Sequence, residues 1–143
     1  MAVDKVLLVD DEEEFVAAIS RRIEVRGFLV ETAESGERAL EMLAQGRYDA
    51  VILDLAMPGM DGIETLKGII GSDPLAQVIL LTGHGSVRAA TEAMHLGAFD
   101  FLEKPADFDE LMEKVRRAIS KRLELELNKT QDEVADILRK KGW

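Results

Sequence analysis

Ala50-Val51-Ile52-Leu53-Asp54-Leu55-Ala56-Met57-Pro58-Gly59 decides the fold of this chain. Four apolar residues run unbroken into an aspartate, and a proline-glycine turn signal lies just beyond. A strand wetted on one face alternates apolar and polar residues, whereas an unbroken apolar run is buried on both faces, as in a parallel sheet covered by helices. The same texture recurs at Lys5-Val6-Leu7-Leu8-Val9 and at Gln77-Val78-Ile79-Leu80-Leu81-Thr82. Shorter runs stand at 29–33 and 100–103.

Helical patterns fill the intervals. Phe15, Ile19 and Ile23 are spaced by four within 12–26, and Leu40 and Leu43 share one face of 35–45. Further helices are predicted at 61–70 and 86–96, and a last one from about Asp107. Asp61 with Glu64, and Asp107 with Glu110, have capping-box spacing with aspartate as the cap. Gly27, Gly46 and Gly97 each lie just past a helical pattern, where a left-handed residue is expected. Regular alternation of strand and helix predicts α/β architecture, a doubly wound five-stranded parallel sheet with helices on both faces. No internal repeat or flexible linker interrupts it.

The 143 residues suit one domain with one core. With no cysteine, a disulfide framework and a thiolate zinc site are excluded. No apolar run approaches the roughly 18 residues of a membrane span. The first residues lead straight into a strand and lack the layout of a signal peptide, so a cytoplasmic protein is predicted. The net charge of -10 disfavours nucleic acid and anionic membrane as direct partners but suits a cation. Acidic balance also simply confers solubility.

Open α/β sheets bind ligands beyond the carboxyl ends of their strands. There the sequence places Asp10 and Asp11, Asp54, Thr82, and Lys104 with Pro105 after it. Three carboxylates this close repel one another unless a cation lies among them. Magnesium suits one or two carboxylates, waters and a phosphate oxygen. Asp54 is then the candidate nucleophile, Thr82 a hydroxyl donor and Lys104 a point charge for a carboxylate or phosphoryl group.

Each residue has a plainer reading. Asp11, Glu12, Glu13 and Glu14 favour a helix N-terminus through its dipole. Asp54 marks a strand-to-turn boundary, Thr82 is a strand residue before Gly83, and Lys104 is a solvated lysine. His84 and His95 lack a second ligand at metal spacing, and Met57 and Met60 pack a loop. The coincidence of complementary chemistry at four separate strand ends favours a site.

Four blocks carry a resemblance: Val6-Leu7-Leu8-Val9-Asp10-Asp11; Leu53-Asp54-Leu55-Ala56-Met57-Pro58-Gly59-Met60-Asp61-Gly62; Leu81-Thr82-Gly83-His84-Gly85; and Phe101-Leu102-Glu103-Lys104-Pro105. In order and spacing, over roughly 4–120, the chain resembles the receiver domains of two-component response regulators. The resemblance implies strand order 2-1-3-4-5, an order for which a family member serves as the general example.

It also implies roles. Asp54 is the phosphoacceptor, supplied by a sensor histidine kinase or a phosphotransfer protein. Asp10 and Asp11 are the acidic pair at a magnesium ion, one directly and one through water, joined by Asp54 and the backbone carbonyl of Ala56. Thr82 is the switch hydroxyl, Lys104 contacts the phosphoryl group, and Pro105 comes after a cis peptide. Phe101 stands where the family places its switch aromatic, without the hydroxyl of a tyrosine. Ala56 and His84 tune the lifetime of the phosphate. Phosphorylation would draw Thr82 toward the new oxygens and let Phe101 fill the vacated space, changing the surface of the fourth helix, fifth strand and fifth helix for a downstream effector or output domain. The protein would catalyse its own phosphorylation and dephosphorylation only. The stretch from Thr82 to Pro105 resembles receivers that precede σ54-activator ATPase modules, so the chain is either stand-alone or part of a longer regulator.

The expected division is a receiver over 1–120 and a helical extension over 121–143. Ile119, Leu123, Leu127, Thr130, Val134 and Ile137 recur at spacings of three and four. This stripe continues the last helix into a seam for a homodimer, through the extension or through the fourth helix, fifth strand and fifth helix. The alternative is a break near Asn128 and a separate helix capped by Thr130 and Glu133. Three rivals remain. A haloacid-dehalogenase-type phosphatase needs a second acid where Ala56 stands. A flavodoxin-like cofactor binder needs a Ser/Thr/Gly loop where Asp10 to Glu14 stand. A receiver that has lost phosphorylation would lack key residues that are all present here.

Overall fold

The computed structural model describes residues 3–55, 62–83 and 87–142. Strands β1 (Lys5–Val9), β2 (Leu29–Ala33), β3 (Ala50–Asp54), β4 (Val78–Thr82) and β5 (Asp100–Glu103) form one parallel sheet in the order β2-β1-β3-β4-β5. They alternate with helices α1 (Glu13–Val25), α2 (Gly36–Gln45), α3 (Gly62–Ser72), α4 (Val87–His95) and α5 (Phe108–Lys140).

The unbroken apolar runs are explained by two cores. Leu7, Val9, Val51, Leu53, Val78 and Leu80 point to one face, where Ala39, Leu66, Ile69 and Ala93 of α2, α3 and α4 cover them. Val6, Leu8, Ala50, Ile52, Ile79 and Leu81 point to the other, under Ile23 of α1 and Leu111, Met112 and Val115 of α5. Successive side chains leave a strand on opposite faces, so a strand helix-covered on both sides has no wet position left. The edge strands β2 and β5 carry polar and exposed positions along their length, whereas the polar residues of the central strands stand only at their ends.

Helix ends have local causes. Ser35 Oγ accepts from Arg38 N at 3.1 Å, and Asp107 Oδ1 accepts from Asp109 N at 2.8 Å and Glu110 N at 3.4 Å. Asp61, the expected cap of α3, lies outside the described residues. Gly27 and Gly97 adopt the left-handed conformation, with φ of 96° and 110°. Gly46 does not: it is extended, φ -160° and ψ 170°. The chain leaves α2 straight toward Asp49, whose N–H donates to Lys5 O at 2.8 Å, and no reversal is needed there. The last helix runs without a break past Asn128 to Lys140.

Candidate functional site

The parallel sheet brings its strand ends to one rim. Asp10 and Asp11 lie just past β1, Asp54 and Thr82 end β3 and β4, and Lys104 lies just past β5. Backbone bonds fix these positions: Asp10 N donates to Ala33 O at 3.0 Å, Leu55 N to Leu81 O at 3.0 Å, and Lys104 N to Thr82 O at 2.8 Å. The Lys104–Pro105 peptide is cis. Asp10 Oδ1 accepts from Glu12 N at 2.9 Å, so this carboxylate also holds the start of α1. Glu12 itself makes no side-chain cap.

Asp10, Asp54 and Thr82 are buried, while Asp11 is exposed. Asp10, Asp11 and Asp54 each offer a carboxylate oxygen, and these oxygens lie within 4.8 Å of one another. Among the described residues this is the one group of three or more acidic or imidazole side chains close enough to share an ion. Lys104 Nζ donates to Asp54 Oδ2 at 3.3 Å and to Asp10 Oδ2 at 3.4 Å, and stands 4.0 Å from Glu12 Oε1. Its ammonium also lies 4.7 Å from the centre of the Phe15 ring, which closes the apolar side of the site.

The electrostatics are under-compensated. Burial raises the Asp10 pKa above the ordinary carboxyl value, and the charge of Asp54 adds to the rise. The Glu12 amide and Lys104 oppose it without cancelling it. Burial pulls the Lys104 pKa down, but the charges of Asp54 and Asp10 outweigh this and hold it above the ordinary lysine value. The Lys104 ammonium thus stands against a group of three carboxylates. A hard divalent cation fits such a set of carboxylate oxygens.

Thr82 Oγ1 donates to the Leu102 carbonyl at 3.4 Å. The hydroxyl thus reaches β5, in which Phe101 pairs with Leu80 and is 40% exposed. His95 closes the last turn of α4 and is absent from the acidic group. Ala56, Met57, Met60 and His84 lie outside the described residues. Two features had no signal in single residues. One is Phe15 under Lys104, since Phe15 reads as plain helix core. The other is Gly62 of α3, where a Cβ would stand 2.5 Å from Leu55 Cα and 2.9 Å from Leu55 O. The residue after Asp54 is thereby packed directly against a helix backbone.

Comparison with known proteins matches the model of the family described as the response regulator receiver domain over residues 6–116. Regulatory protein AtoC of Escherichia coli K12 is 39% identical over 118 residues, covering 82% of this chain and 26% of AtoC. The DNA-binding transcriptional regulator NtrC of the same organism is 41% identical over 115 residues, covering 80% of this chain and 24% of NtrC. The chain thus spans about a quarter of the length of these relatives. A crystal structure of a response regulator receiver domain protein from Clostridium thermocellum superposes with a TM-score of 0.83 at 34% identity, covering 86% of this chain and 99% of that one.

Proposed function

The chain belongs to the response regulator receiver domain family, and on that premise we propose that Asp54 accepts a phosphoryl group in a magnesium-dependent reaction that switches the protein's surface. The observation that carries this reading is the shared ammonium: Lys104 holds both Asp54 and Asp10 in a rim with three carboxylates.

Asp10, Asp11 and Asp54 would hold the ion, with the Ala56 carbonyl as a further ligand. The bound ion would neutralise the acids and draw charge from the phosphoryl oxygens. An oxygen of Asp54 attacks phosphorus, the bond to the donor's leaving group breaks, and an aspartyl phosphate forms. Lys104 moves its hydrogen bond from the Asp54 carboxylate to a phosphoryl oxygen and stabilises charge there. Thr82 exchanges the Leu102 carbonyl for another phosphoryl oxygen, and the half-exposed Phe101 turns into the space it leaves. The surface of α4, β5 and α5 is the part a partner would read.

The donor in this reading is a sensor histidine kinase or phosphotransfer protein in the cytoplasm, and the reader is an effector protein or an output domain. No helix among the described residues is long and apolar enough to cross a membrane. A receiver over 1–120 and an extension over 121–143 is the division we propose. The extension exposes Leu123, Leu127, Val134 and Ile137, a stripe suited to a second copy of the chain.

Acetyl phosphate supplied with magnesium tests the reading by intact mass. The expected result is a gain of one phosphoryl group on Asp54, abolished by a chelator and by Asp54→Asn. A chain that gains no mass, or gains it equally in Asp54→Asn, removes Asp54 from the role.

A further inference from the structure

At the opposite pole from Asp54, α5 leaves the domain through a set of charges that the phosphoacceptor reading does not use. Arg122 is 5% exposed although it is an arginine on the helix extension. Its Nη1 donates to Asp73 Oδ2 at 2.6 Å and its Nε to Glu126 Oε1 at 2.8 Å. The same Glu126 oxygen accepts from Arg47 Nη2 at 2.7 Å and Nε at 3.0 Å. Arg47 continues to Asp49 Oδ1 at 3.2 Å, and Asp49 Oδ2 accepts from Lys5 N at 2.7 Å. Asp73 Oδ1 accepts from Leu75 N at 3.1 Å. The relay therefore runs from the first residue of β1, through the segments before β3 and β4, to two residues one turn apart on α5.

Beyond this anchor α5 is bare. From Leu127 to Gly142 every residue is exposed, yet the helix continues to Lys140. That stretch rises about 20 Å at 1.5 Å per residue. An isolated helix of this length is marginal in water, because its first turn is costly to nucleate. A helix propagated from an anchored turn avoids that cost, and the relay grips the last turn before the exposed half. The geometry is specific: two guanidinium groups of fixed fork shape, one from α5 and one from the segment before β3, converge on a single carboxylate oxygen.

We infer that Arg47, Asp73, Arg122 and Glu126 form an ionic clamp that fixes the direction in which α5 leaves the receiver, making its exposed half a rigid strut. Arg122 and Glu126 are positioning residues in this device. The clamp holds the strut at a set angle to the sheet, so that any displacement of α5 within the domain is carried outward undamped. It acts on the angle alone and is independent of whether Asp54 is phosphorylated.

The absence of cysteine allows two labels to be placed without background. Spin labels on Glu24→Cys and Lys140→Cys, both exposed sites, report the angle as a distance distribution. Labelled chains are diluted into excess unlabelled chain, so that only distances within one molecule are read. The expected result is a narrow distribution in the parent chain, roughly two-fold broader in Arg47→Gln and in Arg47→Gln/Glu126→Gln and unchanged in Arg139→Gln, a change at an exposed pair on the strut itself. Arg47 is half exposed, so its single variant keeps the fold even where the double variant does not. Equal widths in the parent and the Arg47→Gln chain, or equal broadening in Arg139→Gln, would overturn the clamp.

Discussion

Asp10 carries two loads at once: it caps Glu12 N with one oxygen and faces Lys104 with the other. Burial first, and the Asp54 charge after it, raise its pKa, so the charged form is less favourable folded than unfolded. Asp10→Asn keeps an acceptor for Glu12 N and deletes the charge. In metal-free protein at pH 7 it is expected to stabilise by about 1 kcal/mol, roughly 3 °C in the unfolding midpoint. Linkage sets the sign of the pH dependence. A carboxyl whose folded pKa is raised destabilises above that pKa; the penalty fades as pH falls below it and is gone below the ordinary value of 3.8, where both states are protonated. The advantage of the variant should therefore shrink as pH falls, and thermal melts in a chelator at two pH values check it. Asp10, Asp54 and Thr82 were legible in the sequence because each ends an apolar run, and Lys104 because it follows the short fifth run just before Pro105; a run ending is a feature of the chain itself. The cap on Glu12 and the Phe15 ring under Lys104 were not, because they depend on how two elements meet side by side.

Elements were legible where periodicity was strong. The β3 and β4 runs announced burial on both faces, and the two cores supply it. The ends were read less evenly. Gly27 and Gly97 take the left-handed turn expected of them, whereas Gly46 stays extended because β1 receives the departing chain directly. Glycine identity alone does not reveal what a neighbouring backbone requires, and α3 makes the contrast testable. A Cβ at Gly62 meets the Leu55 backbone at 2.5 Å, while one at Gly71 meets nothing within 4 Å. Gly62→Ala should cost about 1–3 kcal/mol, since backbone must shift to admit the methyl group. Gly71→Ala should gain about 0.4–1 kcal/mol by restricting the unfolded chain. Urea unfolding of the pair checks this: equal effects would mean that the close approach at Leu55 does not constrain α3.

Across the whole molecule, chemistry and mechanics sit at opposite poles. One end of the sheet gathers Asp10, Asp11, Asp54 and Lys104; the other gathers the charges that hold Arg122. The fold class was legible as a pattern of alternation, the strand order only through the resemblance to receiver domains, and the receiver family is established by the comparisons. The continuity of α5 to Lys140 was one of two readings the sequence allowed, since a stripe spaced by three and four suits an unbroken helix and a broken one alike. The clamp was invisible there, because Arg47, Asp73 and Arg122 are far apart in the chain and each reads as an ordinary surface charge. The proposed function rests on the first pole, where a divalent cation would let the three acids tolerate one another.

Magnesium titration combined with thermal unfolding reads that dependence on a cation. A ligand bound only by the folded state stabilises it by about 2.7 kcal/mol at a hundredfold excess over its Kd. The midpoint is expected to climb with magnesium in the parent chain and to stay flat in Asp10→Asn and Asp54→Asn. A parent midpoint indifferent to magnesium, or one that climbs equally in both variants, would contradict a cation among the acids.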